Sequence, residues 1–238
     1  MKHLPFLLFL ILYSCGNDPV SIPKKKENPV TVQFFETYSM DEIKTKWLDA
    51  CKWSAENDQR NQVGKPPFYI GFKGLKSFIF SNYDNTIGFA KKEDVSAVDS
   101  ILAISEIAGL FPKDLHFLWS WNLQTSVLDG RKGYCLYAVK IPKNKKAPVD
   151  SHDVKESVPA ENEETGMVNI HVELTKTGNR KLKEMTSKNL NRFIVVVLDG
   201  KVVAYPKVLE VITEKLKLDV NFTMEAAGTI SDRMNAGR

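Results

Sequence analysis

Residues 193–206 read Phe-Ile-Val-Val-Val-Leu-Asp-Gly-Lys-Val-Val-Ala-Tyr-Pro. Phe193 to Leu198 is a continuous apolar run of strand length, the pattern of a strand buried on both faces. Asp199-Gly200 accepts positive φ, so the chain reverses there into a hairpin whose second arm carries Val202 and Ala204. Pro206 has no N–H to give to a ladder and ends that arm. On the N-terminal side, Val168, Ile170 and Val172 alternate in a further strand, and a short helix spans about Thr177 to Met185. On the C-terminal side, Val208–Ile212 and Leu216–Val220 are short and of undecided type. Thr223 then caps a final helix carrying Ala226, Ala227, Ile230 and Met234, closed by Gly237.

Upstream, residues 142–166 run from Lys143, Lys145 and Lys146 into Asp150, Asp153, Glu156, Glu161, Glu163 and Glu164. Basic then acidic blocks with prolines describe a solvated, charged loop. Tyr134–Ile141 and Leu115–Trp121 read as strands, with Asp129-Gly130 in the loop between them. Lys91–Ala108 reads as one amphipathic helix through Val95, Val98, Ile101 and Leu102. Thr86–Ala90 and Leu75–Phe80 read as short strands, and Asn57–Pro67 as a polar loop. Ser39 with Glu42 three residues later is a capping box. It opens a helix with Ile43, Trp47, Ala50, Cys51 and Ser54 on one face. Val30–Tyr38 alternates as a strand. Interspersed strands and helices with hairpin signals predict an α+β fold: antiparallel or mixed sheets with helices packed on one face.

The 238 residues carry 33 basic and 29 acidic side chains, a formal net charge of +4, with 43% apolar and 26% charged residues. This is ordinary globular usage. It makes no case for nucleic acid as a partner, which would want a concentrated basic face. Four histidines and three cysteines, scattered, do not make a zinc module.

The one strongly apolar run, Leu4–Leu12, lies behind Lys2 and before Leu12-Tyr13-Ser14-Cys15. It is too short to span a bilayer, which takes about 20 residues, and has the layout of a secretory signal. Residues 1–15 resemble a bacterial lipoprotein signal in which Cys15 receives the lipid. Acyl chains bind a bilayer at about 0.8 kcal/mol per buried CH2, so the folded part would be a membrane-anchored lipoprotein facing the cell envelope or periplasm. Residues 16–29, with Pro19, Pro23, Pro29 and Lys24-Lys25-Lys26, read as a flexible tether. An oxidising envelope would permit a bridge between Cys51 and Cys135. Both sit in apolar elements, where a free thiol behaves as a small core residue, and two buried thiols is the preferred reading.

Chemistry-bearing motifs are sparse. Gly64-Lys65 is followed by Pro66, which breaks the phosphate-loop pattern. His116, His152 and His171 lack ligand spacing, and His171 should point away from Ile170 and Val172 toward solvent. Glu36 and Asp41-Glu42 are near one another, but Glu42 is explained by capping. Trp119 and Trp121 are expected to share one strand face, more for packing than for an exposed site. No catalytic residue, cofactor or metal is assigned.

Over residues 167–237 the pattern becomes specific: Val168-x-Ile170-x-Val172-x-Leu174, Thr177-Gly178, Thr186-x-x-Asn189, Leu198-Asp199-Gly200-x-Val202, Pro206-x-Val208 and Phe222-Thr223-x-Glu225-Ala226-Ala227. It resembles the first large periplasmic domain of SecD, or of the fused SecDF. Phe35-Glu36-Thr37-Tyr38, Asp41-Glu42-Ile43, Ile87-Gly88-Phe89-Ala90, Leu115-x-Phe117-x-Trp119 and Leu136-Tyr137-Ala138-Val139-Lys140 resemble the Bacteroidetes type in matching order. The resemblance implies a base part at 30–141 and a head part at 167–238, with ferredoxin-like elements. It also implies that the last strand and helix return to the base. It implies a non-catalytic protein that binds unfolded exported polypeptide or Sec translocase components. In the family a transmembrane bundle supplies the proton-coupled motor, and this chain is expected to have none of its own. Residues 213–221 lack the glycines usual in the family, with Lys215 and Val220 near those positions. That departure supports an alternative, a repurposed envelope interaction or scaffold lipoprotein.

Overall fold

The structure, a computed structural model, describes residues 31–60, 74–79, 86–125, 130–161, 168–213 and 215–237. The expected signal at 1–15 with Cys15, the expected tether at 16–29, and Gly64-Lys65 lie outside the described residues.

Strand β1 (Val32–Thr37) leads into helix α1 (Met40–Arg60). The capping box forms: Ser39 N–H donates to Glu42 Oε2 at 2.7 Å and Glu42 N–H to Ser39 Oγ at 3.3 Å. Ile43, Trp47, Ala50 and Ser54 are buried, and Cys51 is half-buried. The expected strand at 75–80 is instead a single helical turn, α2 (Leu75–Phe78). Leu75 N–H donates to Ser54 Oγ at 3.0 Å, and Ile79 N–H closes the turn on Leu75 O at 3.1 Å. Leu75 and Ile79, four residues apart, both reach the core beneath α1, a spacing that suits a helix.

After β2 (Gly88–Ala90), the expected single helix over 91–108 is divided. A 3-10 turn at Lys92–Asp94 precedes α3 (Val95–Leu102) and α4 (Ser105–Ala108). Ile104 between the helices is extended, with φ −62° and ψ 131°. An unbroken helix burying Val98 and Ile101 would carry Ser105 inward next; the break brings in Ile107, which is fully buried.

β3 (Leu115–Trp119), β4 (Gln124–Thr125) and β5 (Lys132–Lys140) follow. Residues 142–166, expected to be a loop, hold β6 (Val149–Asp150), a 3-10 turn at Ser151–Asp153 and the eight-residue β7 (Val154–Glu161). The remaining elements are β8 (Val168–Leu174), α5 (Lys176–Lys188), β9 (Ile194–Leu198), β10 (Lys201–Ala204), β11 (Lys215–Phe222) and α6 (Met224–Ala236). All five β9 residues are buried. Asp199 and Gly200 turn with φ of 50° and 79°, as the hairpin reading requires. Thr223 Oγ1 accepts Ala226 N–H at 3.2 Å, capping α6.

The strands make two sheets. The larger has the order β10-β9-β1-β5-β2, with β3 and β4 on β5 and β6 on β1. The smaller has the order β11-β8-β7. Every strand ladder is antiparallel. The larger sheet curls until Ser120 bridges Val202 and Trp121 N–H donates to Val202 O at 2.8 Å. Alternation in β1 and β5 separates three cores. Phe34 joins Ile170, Leu218 and Ile230 between the two sheets. Leu136 and Ala138 face α1–α4. Phe35, Cys135, Tyr137 and Val139 meet Val195, Val197 and Val202 on the other side. Cys51 and Cys135 belong to different cores, and no disulfide joins them.

This α+β architecture divides differently from the expected parts. The β9–β10 hairpin, at 194–204, joins β1 in the larger sheet through pairs from Val32↔Leu198 to Glu36↔Ile194. The last strand and helix, by contrast, pack with β8 and β7. The larger sheet therefore crosses the expected boundary at 142–166.

Candidate functional site

The C-terminal end of β1, the start of α1 and the segment before β9 meet around a cavity of about 160 Å³. Thr37, Ser39, Asn191, Arg192, Phe193 and Tyr205 line it. Thr37 Oγ1 donates to Phe193 O at 2.8 Å. Asn191 takes φ 62°, a left-handed conformation that Asn tolerates better than most residues. Its N–H donates to Val208 O at 2.7 Å, and Val208 N–H returns to Arg192 O at 2.8 Å. Leu190 and Leu209, each next in sequence to this short ladder, are 45% and 74% exposed.

The floor is aromatic. Phe193 stacks on Tyr205 at 4.5 Å between centroids, and Tyr205 meets Tyr137 at 4.8 Å. The rim is charged. Arg192 Nη2 donates to Glu42 Oε2 at 2.6 Å, and Lys140 Nζ lies 3.7 Å from Glu42 Oε1. Lys140 also sits 4.6 Å over the Tyr38 ring, whose hydroxyl donates to Asp114 at 2.9 Å. Partial burial would raise the Glu42 pKa, but the hydrogen bonds from Arg192 and Ser39 and the Lys140 charge bring it down to about 2. Burial, then the bond to Asp114 and the charges of Asp114 and Glu42, pushes Tyr38 up to about 12. Neither group exchanges a proton near neutrality. Stacked rings, backbone-ordered polar groups and a fixed ion cluster make a surface that can hold an apolar side chain beside a peptide backbone.

The depressed Glu42 pKa is also a stability statement. A carboxylate with a lowered folded pKa stabilises above its unfolded value and loses that contribution as pH falls through the folded one. The window runs from its ordinary 4.5 down to about 2. With Glu42 and Arg192 side chains 35% and 40% exposed, screening reduces the effect to about 1 kcal/mol. Glu42→Gln is expected to cost about that much at pH 7 and to flatten the stability loss between pH 4.5 and 2. Urea unfolding of both proteins across that range checks it.

The other expected residues disperse. Trp119 and Trp121 do not share a face, because β3 ends at Trp119 and the chain turns onto β10. Trp119 packs against the α1–α4 core and donates to Asp99 Oδ1 at 2.7 Å. Trp121 packs against the core between the sheets, with Arg233 5.6 Å from its ring. His171 is exposed on β8, as expected. A hollow of about 180 Å³ there holds Glu156, Val158, His171 and Glu173. His116 is exposed on β3, and His152 lies in the 3-10 turn within 3.2 Å of Asp150. Glu36 pairs with Ile194 in β1, and Asp41 lies exposed in the first turn of α1. Among the described residues no group of His, Cys, Asp and Glu is placed to hold a metal ion. Arg192 and Tyr205 were not singled out from the sequence, and Lys140 entered only as the last residue of a motif carrying the resemblance; their partners in the cavity lie far away in the chain.

Comparison with known proteins identifies part of this arrangement. Residues 133–238 match the SecDF P1 head subdomain. The matched P1 head segment opens inside β5, includes all later elements, and supplies Tyr137, Lys140, Arg192, Phe193 and Tyr205. Thr37, Ser39 and Glu42 come from the preceding part of the chain. Solved structures of SecDF are also similar to this chain. One is a membrane component SecDF that enhances protein export, 14% identical, with 87% of this chain and 93% of that chain covered and a TM-score of 0.37. Another is SecDF in a super-membrane-facing form, 11% identical, with 90% and 30% covered and a TM-score of 0.36. A third is the translocon-associated SecDF of Thermus thermophilus, 14% identical, with 87% and 29% covered and a TM-score of 0.34. The chain thus spans about 30% of the length of the last two. No curated protein matches the chain.

Proposed function

We propose that the chain is a SecD-like periplasmic domain acting in protein export, which contacts unfolded exported polypeptide or Sec translocase components without catalysing a reaction. In this reading Cys15 carries the lipid that holds it to the membrane, facing the envelope, and residues 16–29 are the tether. The observation that carries the reading is the P1 head match over 133–238. The cavity lined by Phe193 and Tyr205, with exposed Leu190 and Leu209 close by in sequence, gives it a place to act. Among the described residues no helix is long and apolar enough to cross a membrane.

Photo-crosslinkers at Leu190, Leu209 and Asn191 are expected to capture nascent exported chains or translocase subunits, and one at exposed Leu48 on α1 is not. Silence at the first three positions, with SecD controls labelling normally, would refute the export role. Palmitate labelling of the native chain and of Cys15→Ala tests the anchor separately. The absence of glycine from 213–221, where β11 runs, favours one other reading, a repurposed envelope scaffold. Affinity purification that returns envelope proteins and no translocase component would support that one.

A further inference from the structure

The chain's formal charge of +4 is concentrated in one element. Helix α5 carries Lys176, Arg180, Lys181, Lys183 and Lys188 against Glu184, a net +4 of its own, and the rest of the chain balances at 28 basic and 28 acidic residues from totals of 33 and 29. At about 3.6 residues per turn, Lys176, Arg180, Lys183 and Ser187 fall along one line. All four are exposed. The line lies opposite Gly178, Leu182 and Met185, which are buried, so it is the outermost part of the helix.

The cations on this line do not serve the helix. Lys181 Nζ lies 2.7 Å from Asp153 Oδ2, and Lys188 Nζ lies 2.7 Å from Glu184 Oε1. Lys176, Arg180 and Lys183 are in no hydrogen bond or ion pair among the described residues. Lys176 also stands in the first turn, where the helix dipole disfavours a cation, and no acidic residue accompanies it there. The start of α5 is held by the 3-10 turn at Ser151–Asp153, through Thr175 N–H to Asp153 O at 2.8 Å. The same turn receives the beginning of β1, since Val32 N–H donates to Ser151 Oγ at 2.7 Å. Residues 1–30 therefore join the fold beside the first turn of α5.

We propose that Lys176, Arg180 and Lys183 form a docking face for the anionic headgroups of a phospholipid membrane. Long, flexible side chains along a convex ridge fix no geometry for one small anion. They suit a broad plane of negative charge, to which each Lys or Arg adds up to about fivefold in affinity. With Cys15 lipidated, as proposed above, the 14 residues 16–29 reach at most about 50 Å, which keeps α5 close to such a plane. The choice of a membrane over an acidic protein rests on that reading; the basic face itself does not.

The test uses the full chain carrying Cys15→Ala, so that no acyl chain holds it, and vesicles of phosphatidylcholine with or without about one-third phosphatidylglycerol. In co-sedimentation at low salt the chain is expected to bind the anionic vesicles at least about tenfold more tightly, and about 0.5 M salt should remove the preference. Lys176→Gln/Arg180→Gln/Lys183→Gln should lose the preference and melt no lower than its parent. Lys91→Gln/Lys92→Gln/Lys113→Gln, which removes the same charge from exposed positions flanking α3 and β3, should keep it. If the α5 triple variant does not fold, Lys183→Gln alone decides, with an expected loss of about threefold. Equal binding to both vesicles, retention of the preference without the α5 cations, or an equal loss in the Lys91 set would each overturn the proposal. Binding to polyglutamate without binding to vesicles would overturn it too, in favour of an acidic protein partner. Palmitate labelling and the crosslinks at Leu190 and Leu209 do not depend on the α5 cations, so a failure here is distinct from a failure of the anchor or of the export role.

Discussion

Phe34→Ala is expected to lower the free energy of unfolding by about 3–5 kcal/mol. Phe34 is fully buried in the core that includes Ile170 of β8, Ile194 of β9, Leu218 of β11 and Ile230 of α6. Truncating the ring removes its transfer free energy and leaves a void whose walls belong to four different elements. The walls are poorly placed to collapse, because β1 is held on both sides: Phe34 pairs with Val196 of β9 and with Val149 of β6. Phe34→Leu keeps most of the volume and should cost less than about 1.5 kcal/mol. Urea unfolding should show a lower midpoint at constant slope. A loss below about 1.5 kcal/mol for the alanine variant would mean that the two sheets are not joined through this ring. The P1 head match begins at residue 133, after β1. A large Phe34 effect would therefore show that the matched segment depends on a strand from outside it, which otherwise leaves β9 with an unpaired edge.

That dependence explains what the sequence reveals and what it hides. β8, β9 and α6 were legible because their burial is periodic over a few residues and their ends carry local chemistry, as at Asp199-Gly200 and Thr223. β7 was not. Its register shifts between Val154 and Glu156, so its buried residues Val154 and Ser157 are three apart, which breaks the alternation of a strand. Its edge is filled with charges and a proline, the usual protection of an edge strand, and such protection reads as a loop. The partner of β9 was hidden for another reason. Its pairing with β1 joins residues more than 150 positions apart, and no local pattern records which strand lies alongside. The cavity suffers from both problems. Glu42 was legible as a cap because Ser39 is three residues away, whereas its bond to Arg192 spans 150 residues. Tyr205 looked only like the residue before a strand-ending proline, although its ring stacks on Phe193 and touches Tyr137.

Asp153→Ala is expected to cost about 2–3 kcal/mol, combining a lost buried acceptor with a partly screened ion pair. Asp153 is 3% exposed. Its Oδ2 accepts Asp150 N–H at 3.1 Å and Lys181 Nζ at 2.7 Å, and its carbonyl accepts Thr175 N–H at 2.8 Å. One residue thus ties the β6–β7 corner to the start of α5. Gly178 shows how tight the joint is, since a Cβ there would lie 2.7 Å from Asp153 O. Alanine at 153 keeps the backbone bond but leaves Asp150 N–H without its acceptor and Lys181 without its counter-ion. The Lys181 side chain is 36% exposed and regains water, so the loss falls below the 3–5 kcal/mol typical of a fully buried pair. Asp153→Asn retains an acceptor of the same shape and should cost about half as much. At about 2–4 °C per kcal/mol for a chain of this size, the alanine variant should melt about 4–12 °C lower. The ranking carries the argument: if asparagine is as costly as alanine, charge rather than hydrogen bonding holds the corner. If neither variant departs from the native melting point, α5 is held by the apolar contacts of Leu182 and Met185 alone.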